Sequence, residues 1–544
     1  MSRREAWLSA GLVFVVALLV RAWAAAQMPF PTPEDATYYW GVARNLVDGH
    51  GLVSDSIWTY VTPARNPLTG TFGLFFPRPA FEIWLPLPTL LAAIAMTVAG
   101  SDAYGTALLA PVLAGALVPV LAWRVGADLA EERGLSQQRA RTVALGSGLV
   151  AAIWLPLVLP SAVLDSTSTY AVPALAACLL MVRLVRRPPA QLLDVRVVAL
   201  GIAIGIAYLS RNEAAWIGLA WFVIAAWSYR GRGVWAVVGP VTVAGFVALL
   251  VMSPWLLRCW LTFGSPLPGQ AALNALSLSG FDIFAWADRP TLARYLAAGA
   301  AALVDQRIDA FGHNLVDVLL VPGFPLSLLG LVSLPWFGRA KTLGPVLLLS
   351  LLTFGATTLL FPVATTWGTF LHAAIPALVL LLVLGIAGLD AGIAVIGRRR
   401  RWTRPVAWLG PLLAGFGALL FMFVGIPAYA AQARSIEASY SALPARFAAM
   451  GDPLDPAVPV ISDHPIWLAE EDRVRALSLP DEPVSSVLEI ARTFGARYVV
   501  LDGEAGGWPA RLATDLDAHC LVPVALPGTG TAPDPFRVYR VACP

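Results

Sequence analysis

The chain of 544 residues is 58% hydrophobic and only 13% charged, and its mean hydropathy is +0.71. A water-soluble domain averages about 25% charged residues, so this composition excludes an ordinary soluble globular protein. The net charge of +3 is small, and the sequence has no basic patch typical of nucleic-acid binding. Runs of roughly 20 apolar residues recur as far as position 427 and predict an all-α polytopic membrane protein.

About eleven membrane spans follow from the hydropathy pattern. They are expected near residues 6–26, 105–126, 142–160, 170–187, 195–210, 214–229, 234–257, 315–337, 342–362, 373–396 and 405–427. The first span follows basic residues and imitates a signal peptide, but the many later spans favour a retained helix. The apolar stretch Ile83–Gly100 is interrupted by Pro86 and Pro88, and we interpret it as an interfacial or re-entrant segment.

The positions of the arginines predict the orientation in the membrane. With 83–100 not counted as a span, the basic loops, including Arg398–Arg401, all face the cytoplasm, and so does Met1. The first outer loop (27–82), a second outer loop (258–314) and the tail then lie on the opposite side. Short inner loops and long outer loops indicate chemistry on the extracytoplasmic face of the plasma membrane.

The sequence divides into a transmembrane module, 1–429, and a small extracytoplasmic α/β domain, 430–544. Strand-like segments of the second part are Val458–Ile461, Val474–Leu477, Tyr498–Leu501, Leu521–Ala525 and Phe536–Val541. A helix is expected over Ser485–Phe494, because its apolar residues share one face.

The four cysteines differ in environment. Cys178 and Cys259 fall in or near spans and are expected to be packing residues. Cys520 and Cys543 lie in the tail and could form a disulfide if the tail is outside the cell, although their spacing alone leaves the pairing open.

Two adjacent acids, Glu34 and Asp35, follow the first span at the start of an amphipathic helix whose apolar face includes Tyr39. Neighbouring helical residues point about 100° apart, so one acid can cap the helix while the other faces a cavity. Acids beside a bilayer are costly, which favours a role in catalysis. The alternative is that both acids only stabilise the N-terminus of the helix.

Three further polar residues lie on the same outer face. Arg78 and Glu82 flank the interrupted segment, and Asp165 lies between two spans. Together with Asp35, the acids Glu82 and Asp165 would form a cluster suited to a hard divalent cation. The alternatives are interfacial anchoring for Arg78 and Glu82 and a helix cap for Asp165.

Arg211, Arg258 and His372 are the cationic candidates on this face. Arginine suits a lipid phosphate because it forms bidentate hydrogen bonds. The alternatives are a salt bridge between Arg211 and Glu213, a topological flank for Arg258 and a structural hydrogen bond for His372.

Short motifs spread over the whole chain carry a resemblance to a known family. They are Glu34-Asp35-Ala-Thr-Tyr38-Tyr39, Ala43-Arg44-Asn45-Leu46, Gly49-His50-Gly51, Phe81-Glu82-Ile-Trp84-Leu-Pro86, Leu209-Ser-Arg211-Asn-Glu213, and Ser253-Pro-Trp255-Leu-Leu-Arg258 followed by Phe263-Gly264-Ser-Pro266. In these motifs the chain resembles the GT-C superfamily of polytopic glycosyltransferases, in particular the bacterial relatives of protein O-mannosyltransferases and lipid A aminoarabinose transferases. The motif of the first outer loop is the most specific.

The resemblance implies an enzyme of the bacterial plasma membrane that transfers a hexose or pentose with inversion. The donor would be a polyprenyl-phosphate sugar, and the acceptor a hydroxyl of a glycan, lipid or protein. Asp35 would be the base, with Glu34 as the alternative.

The remaining candidates would contact the donor. Arg211, Arg258 and His372 would stabilise the departing phosphate, and Arg78 and Tyr39 would bind substrate. Glu82 and Asp165 would orient the donor or hold a divalent cation.

The sequence departs from the family in two motifs. The acidic pair is often Asp-Glu in the family but is Glu34-Asp35 here, which leaves the identity of the base open. Some relatives have Glu-Lys-Pro where this chain has Pro77-Arg78-Pro79.

Two other functions compete with glycosyl transfer. A transporter or flippase for a lipid-linked glycan would place polar residues near the midplane of paired, broken helices. In this chain the acids instead collect in the outer loops. A non-catalytic scaffold for the tail would lack a lipid-sized groove beside the first outer loop.

Overall fold

The computed structural model describes residues 3–268, 270–402, 406–528 and 534–543, which are mostly helical. The longer helices are Arg3–Ala25, Glu34–Val47, Leu87–Ala99, Leu109–Glu132, Gln137–Ile153, Ser166–Arg186, Val195–Ser210, Ala214–Tyr229, Val234–Phe263, Gly299–Gly312, Leu326–Phe337, Gly344–Leu359, Ile375–Arg399, Leu409–Ser441 and Val484–Phe494. Short helices lie at Tyr104–Ala107, Leu155–Val158, Leu159–Ser161, Gln270–Leu276, Gly280–Phe284, Leu292–Ala297, Pro362–Thr366, Thr369–Ala373, Leu443–Ala449, Pro465–Glu471, Ala510–Ala513 and Leu516–Cys520. A π-helix covers His313–Leu320.

Several helices are long and apolar enough to cross a membrane. Within the described ranges they are Arg3–Ala25, Tyr104–Glu132, Ser166–Arg186, Val234–Phe263, Ile375–Arg399 and Leu409–Ala449. The pair Gln137–Ile153 and Leu155–Ser161 adds a seventh if it is counted as one span bent by 70°. Large apolar side chains such as Phe246 and Phe416 are exposed along these helices, as expected for a surface in contact with lipid.

The prediction of about eleven spans is not confirmed. Four of the expected spans contain helices of only 12 to 16 residues, namely Val195–Ser210, Ala214–Tyr229, Leu326–Phe337 and Gly344–Leu359. A 16-residue helix is about 24 Å long, whereas the hydrocarbon core is about 30 Å thick. Two of these helices have the expected bounds and are simply too short, whereas the expected spans 315–337 and 342–362 include residues outside the helices Leu326–Phe337 and Gly344–Leu359.

The interrupted segment at 83–100 forms a helix of 13 residues, Leu87–Ala99, directly after Pro86. Because this helix is too short to cross a bilayer unaided, it agrees with the interpretation of 83–100 as a segment that does not span. Its location relative to the membrane stays a prediction.

Close packing between helices depends on glycine at one crossing. A Cβ atom at Gly201 would lie 2.6 Å from the carbonyl oxygen of Ala244, and one at Gly205 would lie 2.6 Å from Cβ of Val251. Both glycines belong to Val195–Ser210 and face the helix Val234–Phe263. Their spacing of four residues is the small-residue pattern that lets two membrane helices approach closely.

A buried arginine compensates for the bend in the pair Gln137–Ile153 and Leu155–Ser161. Arg21 is fully buried and donates to the carbonyl oxygens of Ala152, at 3.1 Å, and Leu157, at 2.8 Å. The bend removes the intrahelical partners of such carbonyls, and no water is available within a bilayer to replace them. Arg21 therefore has a structural role in the transmembrane part.

The tail forms a mixed sheet with helices on both faces, and the described residues give it six strands. Their spatial order is Ser56–Ile57, Ala476–Ser478, Val460–Ser462, Tyr498–Asp502, Phe536–Val541 and Leu521–Val524. The first four run parallel, and Phe536–Val541 is antiparallel to both of its neighbours, Tyr498–Asp502 and Leu521–Val524. Each predicted strand and the predicted helix are present within two residues of the expected bounds, so the small C-terminal sheet is confirmed.

One strand of this sheet, Ser56–Ile57, comes from the first outer loop. Two short hairpins complete that loop, pairing Val53–Ser54 with Arg78–Pro79 and Ala64–Arg65 with Phe72–Gly73. The helix Leu409–Ser441 runs without interruption from the transmembrane part into the tail. The loop and the tail therefore share hydrogen bonds across the nominal boundary at residue 430.

The structure gives the pairing of the cysteines in the tail, which the sequence leaves open. Cys520 and Cys543 are joined by a disulfide, which closes the outer edge of the sheet. Cys178 and Cys259 are free and buried, in agreement with a packing role.

Candidate active site

The helix Glu34–Val47, called the loop helix below, positions the two acids of the first outer loop. Its N-cap is Pro33, whose side chain makes no capping hydrogen bond. Glu34 and Asp35 follow directly and diverge by about 100°, so they face different parts of the molecule. Asp35 lines a cavity, whereas Glu34 contacts the C-terminal domain.

The cavity beside Asp35 has a volume of about 380 Å³. Its aromatic lining residues are Tyr39, Trp58, Trp84, Trp216, Phe361 and Trp367. Its polar lining residues include Asp35, Arg211, Asn212, Glu213, Ser277 and His372. An apolar wall with a few convergent polar groups is typical of a ligand site, and aromatic rings suit both a sugar face and an isoprenoid chain.

His372 connects Asp35 to a second acid, Asp165. Its Nε2 lies 3.7 Å from Oδ2 of Asp35, and its Nδ1 lies 3.3 Å from Oδ2 of Asp165. Asp165 also caps the helix Ser166–Arg186 by accepting hydrogen bonds from the backbone and hydroxyl of Thr167. The helix cap predicted as an alternative for Asp165 is therefore present, and the same carboxylate contacts the histidine behind Asp35.

The environment of Asp35 makes its carboxylate a stronger base than usual. Burial raises the pKa of Asp35, while His372, Trp84 and Arg211 oppose the rise. Burial also raises the pKa of the neighbouring Tyr39 well above 10, so this phenol stays protonated. A carboxyl with a raised pKa in a cleft is a candidate for proton transfer.

Arg211 reaches the cavity with its guanidinium already partnered. Nε and Nη2 bind the two oxygens of Glu213 at 3.0 and 2.9 Å, and Nη1 donates to Ser166 at 2.8 Å. The alternative of a salt bridge with Glu213 is therefore present. The bidentate pair fixes the orientation of a guanidinium that also lines the cavity.

Arg78, Glu82 and Arg258 lie together but are not among the residues that line this cavity. Nε of Arg78 binds Oε2 of Glu82 at 3.0 Å, and both side chains are buried. Arg258 donates to the carbonyl oxygen of Ala80 at 2.7 Å and lies over the ring of Trp255. The structure thus does not bring these three candidates to Asp35, and their roles toward substrate or metal stay predictions.

The acids predicted to form a cation site do not converge in the described part of the chain. Glu82 is engaged by Arg78, and Asp165 by Thr167 and His372. A guanidinium 3.0 Å from Glu82 stands where a cation would have to bind, so this donor set does not fit a divalent ion. The described residues do contain a close group of His519, Cys520 and Cys543, but the two sulfurs are joined in the disulfide.

Sequence reasoning missed several residues of the cavity. Trp58, Asn212, Trp216 and Trp367 come from three separated segments and were not candidates. Trp84 and Asn212 carried a signal, because they lie in the motifs that contain Glu82 and Arg211. Aromatic residues are frequent throughout this chain, and only the fold shows which of them share a wall.

The helical membrane part, the folded first outer loop and the C-terminal α/β domain together form a fold shared with solved structures of ArnT and of the archaeal oligosaccharyltransferase AglB, which is the fold expected from the resemblance to the GT-C superfamily. The likeness is structural, since no family model and no curated protein matches the sequence.

Individual solved structures show how far the likeness extends. ArnT from Cupriavidus metallidurans bound to undecaprenyl phosphate is 14% identical, with a TM-score of 0.54 and coverage of 99% of both chains. The archaeal oligosaccharyltransferase AglB from Archaeoglobus fulgidus, in complex with an inhibitory peptide and a dolichol-phosphate, is 13% identical, with a TM-score of 0.55. That match covers 92% of this chain and 70% of AglB. A structure of the Archaeoglobus fulgidus oligosaccharyltransferase in complex with Zn and sulfate is 14% identical, with a TM-score of 0.53 and coverage of 93% of this chain and 70% of that chain.

Proposed function

We propose that the protein is an inverting glycosyltransferase that moves a sugar from a polyprenyl-phosphate donor to an acceptor hydroxyl. The observation that carries the proposal is the position of Asp35, a carboxylate with a raised pKa at the wall of an aromatic cavity. The fold supports it, because structural neighbours at low identity were solved with undecaprenyl phosphate and with dolichol-phosphate.

In the proposed reaction Asp35 takes the proton of the acceptor hydroxyl as its oxygen attacks C1 of the sugar. The bond between C1 and the phosphate oxygen breaks, and the lipid phosphate leaves with the electron pair. Because attack and departure occur on opposite faces, the configuration at C1 inverts. A raised carboxylate pKa favours this proton transfer, since a general base works best when its pKa approaches the operating pH.

Arg211 and His372 are the groups at the cavity wall that would stabilise the leaving phosphate, Arg211 by its charge and His372 by a hydrogen bond. Tyr39 would donate a hydrogen bond to substrate. The proposed reaction uses no divalent cation, since Glu82 is paired with Arg78 and Asp165 contacts His372.

The predicted orientation of the chain in the membrane favours a reaction on its outer face. We propose that the cavity opens on the extracytoplasmic face of a bacterial plasma membrane and that Met1 is cytoplasmic, as the arginine distribution favours. The acceptor would be a glycan, a lipid or a protein.

The test compares binding with transfer in the purified protein in lipid nanodiscs. Asp35→Asn should abolish release of polyprenyl phosphate from a panel of undecaprenyl-phosphate hexoses and pentoses. Binding of undecaprenyl phosphate, followed by quenching of the cavity tryptophans, should be unchanged. Asp48→Asn, at the exposed end of the same helix, is the matched control and should retain transfer.

Two results would contradict the proposal. Normal transfer in Asp35→Asn and Glu34→Gln, singly and together, would show that neither acid is the base. Movement of the labelled lipid across the bilayer without cleavage would indicate a flippase instead.

A further inference from the structure

Glu34 and Asp35 are neighbours, yet their side chains contact different parts of the molecule. The Glu34 carboxylate accepts a hydrogen bond from the backbone N–H of Ile466 at 3.2 Å and lies 3.6 Å from Nδ1 of His464. Ile466 belongs to the helix Pro465–Glu471 of the C-terminal domain, called the docking helix below. The first turn of the loop helix is therefore attached to the C-terminal domain through Glu34.

The histidine at this contact is charged at neutral pH. Burial by itself lowers the pKa of His464, but Glu34, Asp463 and Asp502 outweigh that effect and raise the pKa to about 9. The ring also stacks on Trp467, with centroids 4.6 Å apart. The contact between His464 and Glu34 is thus an ion pair at 3.6 Å, and the hydrogen bond of the Glu34 carboxylate is the one that it accepts from the N–H of Ile466.

A buried ion pair holds the loop helix at its other end. Arg44 binds Glu470 of the docking helix, and the two side chains are only 6% and 7% exposed. Arg44 also lies over the ring of Trp40, 4.7 Å from the centroid. Between the two attachments the helices approach so closely that a Cβ atom at Gly41 would lie 1.9 Å from Oε1 of Glu470. Alanine at this position would displace a carboxylate that is already paired.

Both outer loops that line the cavity are attached to the same domain. Strand Ser56–Ile57 of the first loop pairs with Ala476–Ser478, and Trp58 of the cavity wall follows it. In the second loop the backbone N–H groups of 286–288 donate to the carboxylate of Glu482 at 2.8 to 3.1 Å. The C-terminal domain is therefore the common support of the cavity walls.

We infer that the C-terminal domain positions the reacting carboxylate and that Glu34 is the positioning residue through which it does so. The inference rests on the proposed function, because it takes Asp35 as the base. Fixing the side chain of Glu34 fixes the first helical turn and hence the direction of the Asp35 side chain. Glu34 then acts as a hydrogen-bond acceptor that holds the first turn of the helix, without being a second base.

The test separates positioning from proton transfer. Glu34→Ala removes both contacts, whereas Glu34→Gln keeps an acceptor for the N–H of Ile466. We expect Glu34→Ala to lower kcat on the order of 10²-fold, the loss that a misplacement of about 1 Å can cause, with KM for the donor unchanged. Glu34→Gln should recover kcat to within about tenfold of the wild type. Asp35→Asn should be inactive.

A glycine pair gives an independent test that alters no charge. Gly41→Ala should lower kcat in the same way as Glu34→Ala, because it separates the loop helix from the docking helix. Gly417→Ala, at a helical glycine with nothing within 4 Å of the added Cβ, is the matched control and should retain kcat. Binding of undecaprenyl phosphate, measured by tryptophan quenching, should be the same in all variants.

The outcomes distinguish this inference from the proposed function. Wild-type kcat in Glu34→Ala, or in Gly41→Ala if Glu34→Ala does not fold, overturns the inference while leaving Asp35 as the base. A Glu34→Gln variant as inactive as Asp35→Asn also overturns it, since Glu34 would then be needed as a carboxylate. Transfer by Asp35→Asn overturns the proposed function itself.

Discussion

The pair Arg44–Glu470 allows the attachment of the C-terminal domain to be measured as a free energy. Arg44→Leu would leave the carboxyl of Glu470 buried and without its partner. Burial already raises the pKa of Glu470, and Arg44 opposes this rise. Without Arg44 the pKa should rise further, and the carboxyl would take up a proton on folding rather than remain charged.

Protonation sets the size of the expected effect. An unfolded glutamate has a pKa of about 4.3, so protonating it at pH 7 costs about 1.36 kcal/mol per pH unit, or roughly 3.7 kcal/mol. This figure agrees with the loss of about 3–5 kcal/mol expected when one partner of a buried ion pair is removed. At pH 5 the same step costs about 1 kcal/mol. A group whose folded pKa is raised loses stability as pH rises, so the destabilisation should grow from pH 5 to pH 7.

Hydrogen exchange of the docking helix, corrected for the intrinsic pH dependence of exchange, measures this destabilisation. At pH 7, Arg44→Leu should raise the exchange of these amides by up to several hundred-fold, and the difference from wild type should shrink at pH 5. Adding Glu470→Leu should restore most of the protection, since no unpaired carboxyl remains. Arg497→Leu, which breaks a more exposed ion pair with Asp452, is the control and should lower the free energy of unfolding by at most about 1 kcal/mol. Equal protection in Arg44→Leu and wild type at pH 7 would refute the reasoning.

Two further predictions concern the base and the disulfide. Because burial raises the pKa of Asp35 against the opposing effects of His372, Trp84 and Arg211, kcat should fall with falling pH through a pKa above the usual value of about 3.9. A decrease of kcat with an apparent pKa of about 3.9 would contradict the assignment of Asp35 as the base. So would the same pH dependence in an Asp35→Asn variant that remains active. Replacing Cys520 and Cys543 by serine removes a covalent link between residues 23 positions apart. This should lower the free energy of unfolding of the sheet by about 3 kcal/mol, which would be measured as faster hydrogen exchange in Phe536–Val541. Unchanged exchange there would show that the link does not stabilise the sheet.

Local patterns predicted the elements of the tail because each strand and its helix depend on nearby residues. Phe536–Val541 and Val484–Phe494 match the expected bounds closely. The edge strand Ser56–Ile57 was not predicted, since two residues carry no pattern and their partner lies about 420 positions away. Hydropathy locates an apolar stretch but does not show a break within it, and so the break before Leu326–Phe337, inside the expected span 315–337, was missed.

For the site, the sequence could identify acids and arginines on one face but not their partners. Asp35 and His372 share the cavity wall, as the shared outer face suggested. Arg78 and Glu82 bind each other instead, because their i, i+4 separation brings them together when the loop folds back. Which of two adjacent acids meets the cavity depends on the docking of a domain more than 400 residues downstream, and no local pattern encodes that.

A structure determined with undecaprenyl phosphate tests the central claim most directly. We expect the phosphate to lie in the cavity lined by Asp35, Arg211 and His372, with the Asp35 carboxylate facing the space for a sugar. A phosphate bound instead against Arg78 and Arg258, with Asp35 turned away from the lipid, would contradict it.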